Sequence, residues 1–175
     1  LKALRGENGR TVWEDQLART GRSTAMAALA DIDGSPVVDR GRVFAVGHGG
    51  RMVALELATG QRVWERNFAG VWTPWAAGEF LYLVTVEGEV LCITRTEGKL
   101  RWVSRLPAFE KMKQKKNPIQ WAGPVLANER LWVAGSDKLL VALDAYEGKQ
   151  VASIKLKGAA YLPPVVAGGV MYMLT

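Results

Sequence analysis

Short apolar runs separated by turn residues recur along the whole chain. In the run at residues 80–84, Leu81 and Leu83 fall on one face of an extended strand, and Tyr82 and Val84 fall on the other. No segment combines the 3.6-residue period of an amphipathic helix with helix caps. The pattern therefore predicts an all-β protein made of short strands.

Three segments repeat the same order of features at a fixed internal spacing. Each begins with a proline before an apolar strand, and a turn glycine follows 24 residues later. The pairs are Pro36 and Gly60, Pro74 and Gly98, and Pro124 and Gly148. Residues 1–18 match the back half of this unit, and residues 161–175 match its front half. A fixed period of this kind is typical of a repeat architecture.

Each full repeat predicts four strands, because Thr-Gly and Glu-Gly turns between apolar runs are hairpin signals. Four-stranded units at this spacing predict a β-propeller with radial blades. We expect blades at residues 34–68, 72–106 and 121–156, with half-blades at 1–18 and 161–175. The split blades predict a fragment of a larger ring, one of eight blades. Because exposed strand edges recruit partners, self-association of two chains to complete the ring is a further expectation.

A tryptophan follows the turn glycine by four residues in three of the copies. The residues at this position are Trp13, Trp64 and Trp102. We expect these three side chains to dock between neighbouring blades as structural residues. The last full copy has Ala152 instead, so one interface should be less aromatic. Trp72, Trp75 and Trp121 lie near blade entrances, and we expect smaller contributions to stability from them.

Composition limits the chemistry that the chain can perform. It has one cysteine, Cys92, and one histidine, His48, among 175 residues. These counts exclude an internal disulfide framework and a cysteine-rich zinc site, and they disfavour a catalytic triad. We interpret Cys92 as a small buried hydrophobe and His48 as exposed in a glycine-rich turn. No apolar stretch is long enough for a transmembrane helix. The residues favour a protein with no catalytic residue and no metal site.

The net charge of +6 is unevenly distributed. Residues 109–118 contain Lys111, Lys113, Lys115 and Lys116 against one acidic residue, and so carry half of the excess. We interpret this segment as a long solvated loop. It lacks the aromatic and basic pattern of an RNA-binding sheet and any helix-turn-helix, so no nucleic-acid partner is expected.

Two resemblances follow from the motifs. The pattern A-L-E-x3-G-x3-W at residues 54–64 and A-L-D-x3-G at residues 142–148 resembles the PQQ-type, or tryptophan-docking, propeller repeat. With the segment D-I-D-G-S-P-V-V at residues 31–38, nearly the whole chain resembles the C-terminal half of the BamB family. In that family two acidic positions precede a blade, and Asp31 and Asp33 match them.

The BamB resemblance implies a non-catalytic scaffold without a cofactor. It implies a lipoprotein on the periplasmic face of the outer membrane, held by a lipid anchor upstream of this chain. The partners that it implies are the periplasmic domains of BamA in the β-barrel assembly (BAM) complex, and also unfolded outer-membrane proteins. Asp31 and Asp33 would bind the partner. In the competing interpretation these aspartates cap local turns by accepting backbone N–H bonds.

Two other classes stay open, because the repeat is shared by proteins of different function. A quinoprotein (PQQ-dependent) dehydrogenase would need a calcium site and adjacent cysteines, whereas Cys92 stands alone. Another periplasmic protein-binding propeller would have the same fold and a different partner.

Overall fold

The computed structural model describes residues 1–16 and 34–175, and it is built from short antiparallel strands. In chain order the strands are β1 (Lys2–Leu4), β2 (Thr11–Glu14), β3 (Val37–Asp39), β4 (Arg42–Gly47), β5 (Arg51–Glu56), β6 (Arg62–Arg66), β7 (Trp75–Ala77), β8 (Phe80–Val84), β9 (Glu89–Thr94), β10 (Leu100–Arg105), β11 (Phe109–Lys111), β12 (Lys116–Pro118), β13 (Trp121–Ala127), β14 (Arg130–Gly135), β15 (Leu139–Asp144), β16 (Gln150–Lys155), β17 (Val165–Ala167) and β18 (Val170–Tyr172). The all-β prediction is confirmed.

Three sheets have four strands each, in sequence order: β3–β6, β7–β10 and β13–β16. We call them blades 1, 2 and 3. The pairs β1–β2 and β17–β18 form two-stranded sheets, here called the N and C half-blades, and β11–β12 forms a separate hairpin. The first strands of neighbouring blades contact each other, β3 with β7 and β7 with β13. The sheets therefore converge at their first strands.

The core lies between the sheets. Leu81 and Leu83 of β8 pack with Phe44 of blade 1. Tyr82 and Val84, which alternate with them, pack on the other side against blade 3. The middle strands are covered on both faces and are apolar almost throughout. They supply most of the buried apolar side chains of the described residues.

The connections form two faces of the ring. The entrance face holds the segments that lead into first strands and the turns between second and third strands: residues 48–50, 67–74, 85–88, 106–120, 136–138 and 156–164. The rear face holds the turns between first and second strands and between third and fourth strands: residues 5–10, 40–41, 57–61, 78–79, 95–99, 128–129, 145–149 and 168–169.

Each docking tryptophan packs against a rear-face turn of the next blade. The indole N–H donates to a backbone carbonyl oxygen three residues before that turn's glycine. The pairs are Trp13 with Leu57 at 2.8 Å, Trp64 with Arg95 at 2.9 Å and Trp102 with Ala145 at 3.2 Å. One hydrogen bond in the same register therefore recurs at three successive interfaces, and it satisfies the polar atom of an otherwise apolar side chain.

The turn glycines are required for this contact on two grounds. Gly98 has φ +65°, a region that side chains with a Cβ rarely adopt. A Cβ atom built on Gly98 would also lie 2.8 Å from the Trp64 ring. Gly60 under Trp13 and Gly148 under Trp102 combine the same two constraints. The ring and the bare backbone of the turn are therefore complementary in shape.

The interface between blade 3 and the C half-blade is built differently. Ala152 stands where the other copies have tryptophan, and Trp132, Leu156, Met171 and Met173 pack around a small buried cluster instead. Within the described part of the chain, β1 pairs only with β2 and β18 pairs only with β17, so each has a second edge without a partner strand. Closure of these edges by a second copy stays a prediction.

Burial opposes one expectation about the remaining tryptophans. Trp121, expected to contribute less to stability than the docking tryptophans, is 6% exposed, the same as Trp64. It belongs to the core between blades 2 and 3, and its indole N–H donates to the carbonyl of Pro107 at 2.8 Å. The physical reason is that the chain enters blade 3 through the inter-blade space, so the first residue of β13 is buried there.

Arg95 joins blades 1 and 2 on the rear face and was not singled out by the sequence. Arg95 is 4% exposed, and its guanidinium pairs with the Asp39 carboxylate. It also donates to the carbonyl of Gly78 at 3.0 Å and lies 5.8 Å from the Phe44 ring centroid. The buried charge is thus paired and hydrogen-bonded, as burial of a guanidinium requires.

We predict that Gly98→Ala destabilises the chain more than Gly78→Ala. Both glycines have positive φ, +65° and +55°, so both substitutions pay the left-handed backbone cost of about 1–2 kcal/mol. An added Cβ meets nothing within 4 Å at Gly78 and meets Trp64 at Gly98. The expected excess loss for Gly98→Ala is about 1–3 kcal/mol, as for overpacking, measured by urea unfolding. Equal losses would contradict the docking contact.

Candidate partner-binding face

A cleft of about 300 Å³ opens on the entrance face between blades 1, 2 and 3. His48 and Val86 line it from turns, and Trp72, Gln120 and Tyr161 line it from the segments that lead into blades. Its walls are mainly apolar and aromatic, with a few polar groups that can orient a ligand. This composition is typical of a binding site.

The aromatic walls of the cleft are fixed by hydrogen bonds. The Trp72 indole N–H donates to the carbonyl oxygen of Trp121 at 2.8 Å. Trp121 is itself held by its bond to Pro107 and packs over Gly88 and Gly135. Because both indoles are anchored to the backbone, the cleft is largely formed before any partner arrives.

Asp31 and Asp33, the predicted partner-binding residues, lie outside the described residues. The next residue, Gly34, is buried, and a Cβ built on it would lie 2.9 Å from the backbone of Trp72. The Ser35 N–H donates to the Thr73 hydroxyl at 3.0 Å. The chain that follows the two aspartates therefore enters blade 1 beside a wall of the cleft.

The predicted docking residues Trp13, Trp64 and Trp102 do not take part in this cleft. They contact the rear-face turns, on the opposite side of the ring. His48, interpreted as an exposed turn residue, is exposed and lines the cleft. Among residues 1–16 and 34–175, no group of three or more histidine, cysteine or acidic side chains could hold a metal ion.

Cys92 is buried in the core rather than placed in the cleft. It is 1% exposed and lies opposite Tyr82 in the β8–β9 pair. Burial raises the pKa of its thiol to about 11, although a hydrogen bond with Tyr82 acts in the opposite direction. Burial also raises the pKa of Tyr82. A thiol that keeps its proton in an apolar core is a poor nucleophile.

The segment at residues 109–118, interpreted as a solvated loop, is a β-hairpin. Strands β11 and β12 pair through Phe109 with Pro118 and Lys111 with Lys116, and a single 3-10 turn at Met112–Gln114 joins them. Lys115 closes the turn at φ +50°. The turn contains no glycine, so the sequence carried no hairpin signal there.

The described ranges hold no helix with the length and apolar character that crossing a membrane requires.

Radial four-stranded sheets, docked tryptophans and an aromatic entrance cleft define the class of protein: a β-propeller of the tryptophan-docking type. The chain belongs to the family of the outer membrane protein assembly factor BamB, whose family model matches residues 1–104 and 108–175. The family resemblance seen in the sequence is confirmed.

Comparison with a curated relative shows how much of such a protein the chain represents. BamB of Escherichia coli (strain K12) is 29% identical over 170 residues, which is 97% of this chain and 41% of that protein. The chain therefore spans about two fifths of the length of the curated relatives it matches.

Solved structures confirm the propeller fold. BamB from Moraxella catarrhalis superposes with a TM-score of 0.82 at 19% identity, covering 98% of this chain and 49% of that one. The quinohemoprotein alcohol dehydrogenase ADHIIG from Pseudomonas putida HK5 superposes at 0.66 and 18% identity, covering 98% of this chain and 35% of that one. Likeness to the dehydrogenase at this identity shows the fold alone.

We predict that Cys92 makes the chain less stable in alkali. Its pKa is about 11 when folded against an ordinary value of 9.0, so the folded state holds the proton more tightly. The contribution of the protonated Cys92 thiol to the free energy of unfolding is complete below pH 9 and is lost as the pH rises through 11. Over that range the free energy of unfolding falls by at most about 1.4 kcal/mol per pH unit. Urea melts at several pH values should show a shallower alkaline decline for Cys92→Ala. Identical slopes in the two proteins would contradict this burial.

Proposed function

We propose that this chain is part of a non-catalytic scaffold subunit of the BAM complex, where it binds the periplasmic domains of BamA. The observation that carries the proposal is the match of the BamB family model to almost every residue of the chain. The curated relatives it matches are named outer membrane protein assembly factors. The location that goes with this role is the periplasmic face of the outer membrane, with a lipid anchor outside this chain.

The entrance face supports a role in binding. Its cleft has apolar and aromatic walls held by backbone hydrogen bonds, which lowers the ordering cost of receiving a partner. Asp33 directly precedes Gly34, which is buried against Trp72 of the same cleft. In our proposal Asp31 and Asp33 make charge-assisted hydrogen bonds to basic groups of BamA beside this cleft.

The proposal includes no cofactor and no catalytic residue. Cys92 supports it, because burial keeps the thiol protonated and away from the cleft. The quinoprotein alternative is supported only by fold likeness at low identity. Unfolded outer-membrane proteins are the second class of partner in this proposal, since an apolar cleft fits the side chains of an extended segment.

The test is charge reversal at both aspartates. We expect Asp31→Arg with Asp33→Arg in the full-length protein to weaken capture of BamA's periplasmic domains by about thirtyfold or more, as for loss of close charge pairs. Thermal melting should be unchanged, since partner contacts do not stabilise the free protein. Capture is measured with purified components at physiological salt.

A matched control is Glu7→Arg with Glu147→Arg, which makes the same charge change at exposed turns of the rear face. This control should bind BamA as the parent does. Undiminished capture by a folded Asp31 and Asp33 variant would remove both residues from the site. An equal loss of BamA capture in the control would show that net charge alone causes the effect, which would contradict the proposed interface.

A further inference from the structure

The hairpin β11–β12 stands out because it has almost no packing of its own. Every residue from Glu110 to Pro118 is exposed to solvent, and Phe109 at the base of the hairpin is half-buried. An isolated two-stranded ribbon is marginally stable in water. A ribbon that extends from the entrance face without an apolar core is therefore suited to bind something outside the ring.

The charges of the hairpin are not neutralised by the rest of the described chain. Lys111 and Lys116 are direct cross-strand partners, an arrangement of like charges that destabilises a sheet. The acidic side chain of the hairpin, Glu110, instead accepts a hydrogen bond from Asn117 at 2.8 Å. Across residues 1–16 and 34–175, none of the four hairpin lysines forms an ion pair. An external anion would relieve this repulsion.

The residue types indicate which anion. The hairpin carries lysines and no arginine, whereas arginine is the residue that suits bidentate binding of individual carboxylates. Lysine acts as a point charge and suits a diffuse negative surface. At the turn, Met112 is 58% exposed between Lys111 and Lys113. An apolar side chain flanked by lysines matches the boundary between lipid headgroups and acyl chains.

We propose that the lysine hairpin docks on a bilayer surface containing anionic phospholipid. The four lysines lie among the headgroups, and Met112 enters the outer part of the acyl region. Nucleic acid fits less well, because the exposed part of the hairpin offers no aromatic ring on which a base could stack. This contact is separate from the proposed binding of BamA, since it needs neither Asp31 nor Asp33.

Cosedimentation of the full chain with vesicles tests the proposal. We expect binding to vesicles of phosphatidylethanolamine and phosphatidylglycerol, and little to phosphatidylcholine alone. Each lysine near an anionic surface contributes a factor of about five, so Lys113→Gln with Lys115→Gln should lower the partition coefficient about twenty-five-fold. Added salt should weaken binding by the parent chain, because it screens exposed charges.

The matched control is Lys155→Gln with Lys157→Gln, which removes the same charge from two exposed lysines outside the hairpin. It should lower partitioning much less than the hairpin variant. Equal losses would mean that net charge alone drives binding, which overturns the proposal. Failure of the parent chain, shown folded by its melt, to bind anionic vesicles would also overturn it. So would binding to single-stranded DNA or polyglutamate without binding to vesicles.

A fluorescent label at the turn tests insertion separately. Cys92 is 1% exposed, so Met112→Cys offers one reactive thiol for an environment-sensitive dye. Its emission should shift to the blue on anionic vesicles, because the dye leaves water. An unchanged spectrum while the chain is bound would show that the hairpin lies off the membrane and would overturn the proposal.

Discussion

The contact between a tryptophan ring and the turn glycine of the next blade sets the geometry of this chain. The ring needs a turn without a Cβ, and the turn has a positive φ that glycine adopts most readily. The indole N–H then finds a carbonyl three residues before that glycine. Trp64 with Gly98 and Arg95 shows the full arrangement. Because the ring, the turn glycine and the carbonyl oxygen must all meet at once, the position of one blade fixes the position of the next.

A division between the two faces follows from this contact. The docking turns all lie on the rear face, where Arg95 adds a buried ion pair between blades 1 and 2. The entrance face carries fewer of these constraints, so its connections can vary in length and chemistry without disturbing the docking. The aromatic cleft and the lysine hairpin both occupy it. Loops on a rigid scaffold are where binding commonly resides.

Much of the fold was predictable because propeller repeats follow local rules. Spacing predicted four-stranded units, and strand alternation predicted that Leu81 and Tyr82 face opposite neighbours, as they do. Arg95 was not predictable, because its position in the repeat supplies a backbone carbonyl and the aligned copies have Leu57 and Ala145 there. Burial of Trp121 depends on the path between blades, which no local pattern records.

The candidate site was less predictable than the fold. The cleft is lined by turns from separate repeats. The residue spacing within one repeat does not predict which turns of different repeats lie close together. The hairpin at residues 109–118 forms by a turn without glycine, so turn rules missed it. Asp31 and Asp33 came from family resemblance and lie outside the described residues, so their role rests on the binding experiment.

The most direct measurement of the central claim is the free energy of unfolding of Trp64→Ala, compared with Trp75→Ala. The two changes delete the same side chain, but Trp64 is 6% exposed and Trp75 is 36% exposed. If docking holds the blades together, Trp64→Ala costs about 3–5 kcal/mol in urea unfolding, the range for large core aromatics, and Trp75→Ala costs clearly less. Comparable losses from the two substitutions would contradict the account.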